Sequence, residues 1–353
     1  MNDNKESYRV LSIDGGGMRG YYSALYLDGL IKLAKGRRFQ NSEFNLTNQF
    51  DMLVGTSTGA IIACGLLNGI SPEEIATFYK EYGARIFPKK MPTKWCHFPL
   101  AYLCRESINK KGNNALKEAL KEIFNEKTLQ QIYDETKKAL VIPSVNATTH
   151  KAYIFKTPHN TDTNERDNDI TLVDACLASS AAPIYRSLAS IDDNLYVDGG
   201  LYANNPVLVA LSEALRLTSE GKDKDKDIEI YCLGMSLIKS SEIDANKPDW
   251  GFREWKFGAN ITDLSIDAQE GAFDYLSKEF AKHISRNISI VRFPTINHTI
   301  QPSIDDASIK TLNSMKTIAQ GAIDETNKLI DEQCQNMQLI KSLLQKIETK
   351  KVS

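Results

Sequence analysis

The chain has 353 residues, of which 42% are hydrophobic and 25% charged, and a formal charge of 43 minus 45, or −2. That length can bury a large core, as one enlarged domain or as two, and that charge gives no global field toward a nucleic-acid polymer, which is not expected as a partner. The first twenty residues include Asp3, Lys5, Glu6 and Arg9 with no apolar stretch, and no run approaches the ~18 apolar residues of a membrane span, so neither a secretory signal nor a spanning helix is expected.

In chain order, residues 8–13 alternate as a β-strand. A glycine-rich turn, Asp14-Gly15-Gly16-Gly17-Met18-Arg19-Gly20, leads from it into residues 21–31, which are apolar at helical spacing. The run 50–54 reads as a second strand, followed by Gly55-Thr56-Ser57-Thr58-Gly59 and an apolar helix over 60–67. Ser71-Pro72-Glu73-Glu74 offers an N-cap, a proline at the first helical position and a glutamate reaching back, which predicts a helix from Pro72 toward Tyr82. Residues 87–102 mix Lys89, Lys90 and Lys94 with Trp95 and Phe98 among three prolines. Such a segment reads either as a loop packed on the protein or as a lid that meets an anionic bilayer.

Strands are expected over 140–145 and 152–156, a polar loop over 158–169, and a helix of small residues over 171–183 ended by Pro183. Leu195-Tyr196-Val197-Asp198-Gly199-Gly200 is a short strand ending in an acid and two glycines. The charged run 220–227 reads as a solvated loop within one fold, because 228–234 returns to a strand. Beyond it the pattern is helical over 263–280 and over 303 to about 346, with a strand over 288–293 between them. The last helix, with Ile330, Cys334, Met337, Ile340, Leu344 and Ile347, suits packing or a homodimer contact better than a membrane anchor. Alternating strands and helices of this kind predict an α/β fold with a mainly parallel central sheet. The six cysteines (Cys64, Cys96, Cys104, Cys176, Cys232 and Cys334) form no C-x-x-C pair. This speaks against a disulfide framework or a zinc site and for a reducing cytoplasm.

The G-x-S-x-G segment, placed between strand and helix, has the order of a nucleophile elbow, with Gly55 and Gly59 flanking Ser57 where a Cβ would collide with the adjoining strand and helix. The triple glycine opens a helix and presents free N–H groups at its positive end, the requirement for holding an anion: a nucleotide phosphate or the oxyanion of an acyl intermediate. Neither nucleotide-binding glycine motif is present, which favours the oxyanion. A serine nucleophile needs a base. None of His97, His150, His159, His283 and His298 has a triad context, and only His283 and His298 follow Asp198, so a dyad in which Asp198 takes the Ser57 proton ranks above a conventional triad.

These three motifs in this order, with Asn204-Asn205-Pro206 after the Asp-Gly-Gly, resemble the patatin-like phospholipase family over about residues 8–217. The resemblance implies a patatin-type three-layer α/β/α fold, here a single unit over 1–353 with its catalytic motifs within 8–217 and a strand and helical extension over 228–353. It implies a serine lipid acyl hydrolase with Ser57 as nucleophile, Asp198 as base, and Gly15, Gly16, Gly17 and Arg19 as the oxyanion loop, needing no metal or other cofactor. The implied partners are a phospholipid substrate and peripheral contact at the inner membrane face. Bacterial members of this size include antiphage effectors that degrade phospholipid once a cyclic nucleotide binds, which makes such an activator an expectation here. The alternatives are a constitutive lipase or esterase, and a non-enzymatic anion-binding module that would have no use for Ser57 and Asp198 together.

Overall fold

The computed structural model describes residues 7–37, 44–90, 104–160, 165–234, 249–251, 255, 259–296 and 302–345. In chain order the elements are β1 (Tyr8–Ile13), α1 (Gly20–Gly36), β2 (Met52–Gly55), α2 (Thr58–Leu67), α3 (Pro72–Ile86), α4 (Arg105–Phe124), α5 (Leu129–Thr136), β3 (Ala139–Asn146), β4 (Lys151–Lys156) and α6 (Leu172–Ser179). They continue with β5 (Ala189–Ile191), β6 (Asn194–Asp198), α7 (Gly200–Ala203), α8 (Val207–Leu217), β7 (Ile228–Leu233), α9 (Ala259–His283), β8 (Ile288–Arg292), α10 (Ile309–Leu329) and α11 (Gln335–Gln345).

The strands form one sheet in the order β5-β6-β3-β2-β1-β7-β8, with β4 also on β3. The β3-β2-β1-β7-β8 part is parallel, while β4, β5 and β6 pair antiparallel. Every residue of β1 and β2 is buried, as a parallel strand covered on both faces requires. On one face Leu11, Ile13, Leu53, Leu140 and Ile142 join a large cluster with α1, α2, α3, α10 and α11. On the other, Val10, Met52, Val54, Val141 and Ile230 pack beneath α8. The chain is thus a three-layer α/β/α structure with its larger helical layer on one side.

The register of β3 positions the site. Val141 pairs with Val54 of β2 on one edge and with Lys156 of β4 on the other, and Ser144 pairs with Asp198 of β6 opposite Tyr153 of β4. β2 and β6 therefore share one edge of β3, running head to head, and their ends meet beside Ile142 and Pro143. The chain leaves β2 into Ser57 and leaves β6 at Asp198, so two residues far apart in sequence arrive at one point.

The capping box at Ser71 and Glu74 forms as expected, but its helix continues to Ile86, so its last turn supplies Ile86 to the cleft described below. Helices α4 and α5 have no counterpart in the sequence reading. The C-terminal helix expected over 303–346 is two helices, broken between Leu329 and Gln335. The helix of small residues stops at Ser179, a few residues ahead of Pro183, whose ring disfavours helical backbone in the residue before it; the Ser179 hydroxyl donates to the Pro143 carbonyl of β3 and that of Ser180 back to the Cys176 carbonyl. Of the suggested lid, residues 91–102 lie outside the described residues, and Lys90 pairs with Asp306 at 2.8 Å. Cys64 and Cys176 lie with sulfurs 3.5 Å apart as buried free thiols.

Candidate active site

Ser57 is the N-cap of α2 with φ 56 and ψ −120, a left-handed backbone that costs on the order of 1–3 kcal/mol for a residue with a side chain. The surroundings leave it no alternative. A Cβ on Gly55 would run into the Gly59 carbonyl and Ala60 nitrogen, and one on Gly59 into the carbonyls of Ile13 and Asp14, so only glycines permit strand β2 and helix α2 to close this tightly. The Ser57 N–H donates to Ser179 Oγ at 2.8 Å, and Thr56 Oγ1 donates to the Ala203 carbonyl at 2.6 Å. The elbow is thereby tied to α6 and to the turn after β6.

The Ser57 hydroxyl donates to Asp198 Oδ2 at 2.7 Å. The other carboxylate oxygen accepts the Gly200 N–H at 2.7 Å, which fixes the carboxylate plane. Burial raises the Asp198 pKa from 3.8 to about 6, against the lowering effects of the Gly200 and Ser57 hydrogen bonds and of the Arg186 charge. No histidine lines the cleft among the described residues. His159 is buried against Glu213 and Thr157 elsewhere, His283 ends α9, and His97 and His298 lie outside the described residues.

The glycine loop divides its work. The Gly15 N–H donates to the Asn204 carbonyl at 2.8 Å and the Met18 N–H to that of Ile304 at 2.8 Å. Gly15 is therefore a structural member of the loop and differs in this from its expected place among the open donors. The N–H groups of Gly16, Gly17 and Thr58 meet no acceptor among the described residues, and all three residues line the cleft with Ser57. Gly17 has φ +56, and a Cβ there would strike the Ile304 carbonyl. Arg19 folds back so that Nε donates to the Gly16 carbonyl at 3.3 Å, which fixes the peptide plane that also carries the Gly17 N–H, pointing opposite to that carbonyl. A serine beside a carboxylate acceptor, facing several unpaired N–H groups, is an arrangement suited to acyl transfer.

The cleft, about 850 Å³ counted to its open mouth, is lined around Ser57 by Met18, Ile61, Phe78, Ile86, Leu116 and Ile304. Ile266 and Ile304 come from the C-terminal third, which the sequence reading left without a role at the site. So does a clamp behind the loop. Arg292 at the end of β8 donates to Asp14 Oδ2 at 2.6 Å and to Asp274 Oδ1 of α9 at 2.7 Å, and Asp274 in turn accepts from Asn205 Nδ2 at 3.0 Å. One guanidinium thus joins the start of the glycine loop to the Asn204-Asn205 turn beyond Asp198. No sequence signal marks Arg292, because it lies in a short strand of otherwise ordinary composition.

This fold and site define a hydrolase of the serine elbow type. Residues 11–211 match the patatin-like phospholipase family, and the chain belongs to it. Among curated relatives, a cGAMP-activated phospholipase of Pseudomonas aeruginosa is 31% identical over 88% of this chain and 86% of its own length. A cGAMP-activated phospholipase of Vibrio cholerae is 31% identical over 88% of this chain and 89% of its own.

Proposed function

We propose that the protein hydrolyses acyl esters of membrane phospholipids through an acyl-enzyme on Ser57. Asp198 takes the hydroxyl proton, Ser57 Oγ attacks the ester carbonyl, and the N–H groups of Gly16, Gly17 and Thr58 receive the oxyanion. Collapse releases the alcohol portion, which takes the proton back from Asp198. Water activated by the same carboxylate then frees the fatty acid. The observation that carries this reading is the 2.7 Å hydrogen bond from Ser57 Oγ to Asp198, made at an elbow whose backbone is held strained toward the open cleft. A carboxylate with its pKa raised to about 6 is ionised at neutral pH yet basic enough to accept a proton in the transition state.

Two finer statements belong to the same proposal. Activation by cGAMP is supported by the names of the relatives that align with most of the chain. Peripheral contact with a bilayer is supported by Leu201, an apolar side chain that lines the cleft and is 40% exposed.

The test is fatty-acid release from vesicles of phosphatidylethanolamine and phosphatidylglycerol, read by mass spectrometry with and without cGAMP. Release that needs Ser57 and rises with cGAMP is the expected result. Equal release without the nucleotide would favour a constitutive lipase, and no release under either condition would remove the phospholipase reading.

A further inference from the structure

Arg186 lines the same cleft as Ser57 and Asp198 and is only 6% exposed. Its guanidinium carbon lies 5.8 Å from the centre of the Phe87 ring, and its polar partners are few. Nη2 reaches the Gly112 carbonyl at 3.4 Å and Asn113 Oδ1 at 3.3 Å, and Nε is buried with no hydrogen-bond partner. Among the described residues no carboxylate stands within ion-pair distance of it, and Asp198 acts on it only through the field across the cleft. A buried charge without a counterion is costly, and proteins place guanidinium groups in such positions where an anion completes them.

The backbone that delivers Arg186 is strained. Ile184, a β-branched residue, has φ 72, a left-handed conformation that persists only where the surroundings over-determine it. Two donors from α4 do so: Arg105 Nε and Asn109 Nδ2 bind the Ile184 carbonyl at 2.8 and 3.0 Å. The N–H groups of Tyr185 and Arg186 both return to the Ala182 carbonyl at 3.1 and 2.9 Å. The result of this turn is that a buried arginine forms part of the wall of a cleft whose other walls are mainly apolar.

We infer that Arg186 is the specificity residue of the cleft and binds the phosphodiester of a glycerophospholipid whose ester lies at Ser57. The inference rests on the hydrolase reading above. In such a lipid a single negative charge on two equivalent oxygens sits a few bonds from the scissile ester, and a guanidinium meets two such oxygens with paired N–H donors. The weak contacts to Gly112 and Asn113 yield to that stronger acceptor. A neutral acylglycerol fills the apolar part of the cleft equally well and leaves Arg186 uncompensated, so the residue discriminates between lipids of identical acyl chains.

The experiment compares dioctanoylphosphatidylcholine with dioctanoylglycerol in the same detergent micelles, with cGAMP present, for wild type, Arg186→Met and Arg186→Lys. Removing one charged hydrogen-bonding partner predicts that Arg186→Met lowers kcat/KM on the phospholipid about 10- to 100-fold and changes it less than about threefold on dioctanoylglycerol, with Arg186→Lys recovering part of the loss. Equal loss on both substrates, or an acid limb of the pH profile displaced alike for both, would assign Arg186 to the fold or to Asp198 and overturn the inference. So would a phospholipid rate unaffected by either variant. Should Arg186→Met not fold, by thermal unfolding, the conservative lysine variant carries the same comparison through its ratio of the two rates. A wild type that cleaves both lipids at equal kcat/KM refutes the assignment and leaves the hydrolase reading intact, whereas one that cleaves neither refutes that reading instead.

Discussion

Replacing Asp198 by Asn should remove the base and at the same time stabilise the fold at neutral pH. Burial lifts the Asp198 pKa from 3.8 to about 6, so the folded protein resists ionising this carboxyl more than the unfolded chain does. Below pH 3.8 the group is protonated in both states and the penalty is absent. As pH rises, the unfolded chain ionises first and the penalty grows, becoming complete above about pH 6 at roughly 3 kcal/mol. Asparagine cannot ionise, and its carbonyl still accepts the Gly200 N–H that now binds Oδ1 at 2.7 Å. Its amide nitrogen would face Ser57 Oγ as a donor, exchanging a charged hydrogen bond for a neutral one, an effect that offsets the difference between variant and wild type by a constant.

The pH-dependent part is free of that constant. Between pH 4 and pH 8 the unfolding free energy of Asp198→Asn should rise relative to wild type by about 2 kcal/mol, measured from urea midpoints at several pH values. Hydrolysis of a soluble short-chain ester by wild type should show an acid limb with its midpoint at about 6, activity rising as the base ionises, and the variant should lose nearly all turnover across the range. A stability difference that stays flat with pH, or that turns in favour of wild type as pH rises, would refute the reasoning, because it would mean that Asp198 is satisfied as an anion and stores no desolvation penalty.

Ser57→Ala should abolish labelling by a fluorophosphonate and all ester turnover while the chain still folds, its unfolding free energy lowered by about 1–3 kcal/mol because the buried Asp198 carboxylate loses the hydroxyl that donates to it; labelling of that variant would point to another nucleophile. Gly16→Ala places a methyl about 3.1 Å from Arg19 Cβ and 3.2 Å from its Nε, a crowding relieved by a shift of a few tenths of an ångström in the loop, so turnover should fall about 10- to 100-fold with little change in KM as the loop N–H moves off the oxyanion. Unchanged turnover would make the loop merely structural. Arg292→Met leaves the buried carboxylate of Asp14 without its cation, while the half-buried Asp274 keeps only Lys278, at 3.5 Å, as a cation, and should cost about 3–5 kcal/mol by urea unfolding, with Asp274→Asn in the same chain recovering part of it; a variant as stable as wild type would show the clamp to be idle.

What the sequence makes legible is local. The elbow follows from five residues because the two glycines, the strand before and the helix after are all adjacent in the chain, and the Ser71 capping box is a four-residue device for the same reason. The parallel sheet follows from uninterrupted apolar strands such as 8–13, which only a structure covered on both faces tolerates. Ser57 and Asp198 could be named separately, but their contact depends on β2 and β6 sharing one edge of β3, a matter of register that no local pattern encodes. Gly15 illustrates the limit within a motif: three consecutive glycines look equivalent until the Asn204 carbonyl takes one N–H and leaves the others open. Arg292, Asp274, Ile266 and Ile304 were invisible for a further reason, since each owes its place to tertiary packing of the C-terminal third against the glycine loop near the start of the chain, 278 residues away in the case of Arg292 and Asp14. Ile184 also gave no warning, because a β-branched residue is an improbable choice for a left-handed turn.

The proposed mechanism dispenses with histidine by physical means that the geometry makes concrete. An imidazole between serine and acid serves as a base because its pKa lies near 6.5. Here the Ser57 hydroxyl donates directly to Asp198 at 2.7 Å, leaving no space for an intervening ring. Burial supplies what the ring would have supplied, moving a carboxylate from 3.8 to about 6. The same burial that makes Asp198 a useful base makes it unfavourable to the fold, and the Gly200 N–H, the Ser57 hydroxyl and the distant Arg186 charge each hold it short of a value at which it would be protonated at neutral pH. Deeper burial would extinguish the base, and greater exposure would weaken it toward an ordinary surface aspartate. The balance is struck by the short β6, which ends in Asp198 and hands the chain straight to Gly199 and Gly200, where a Cβ on Gly199 would strike the Pro143 carbonyl. The Asp-Gly-Gly of the sequence is therefore required on both sides of its chemistry: the acid for the proton, and the glycines for the close approach that buries it to the right depth.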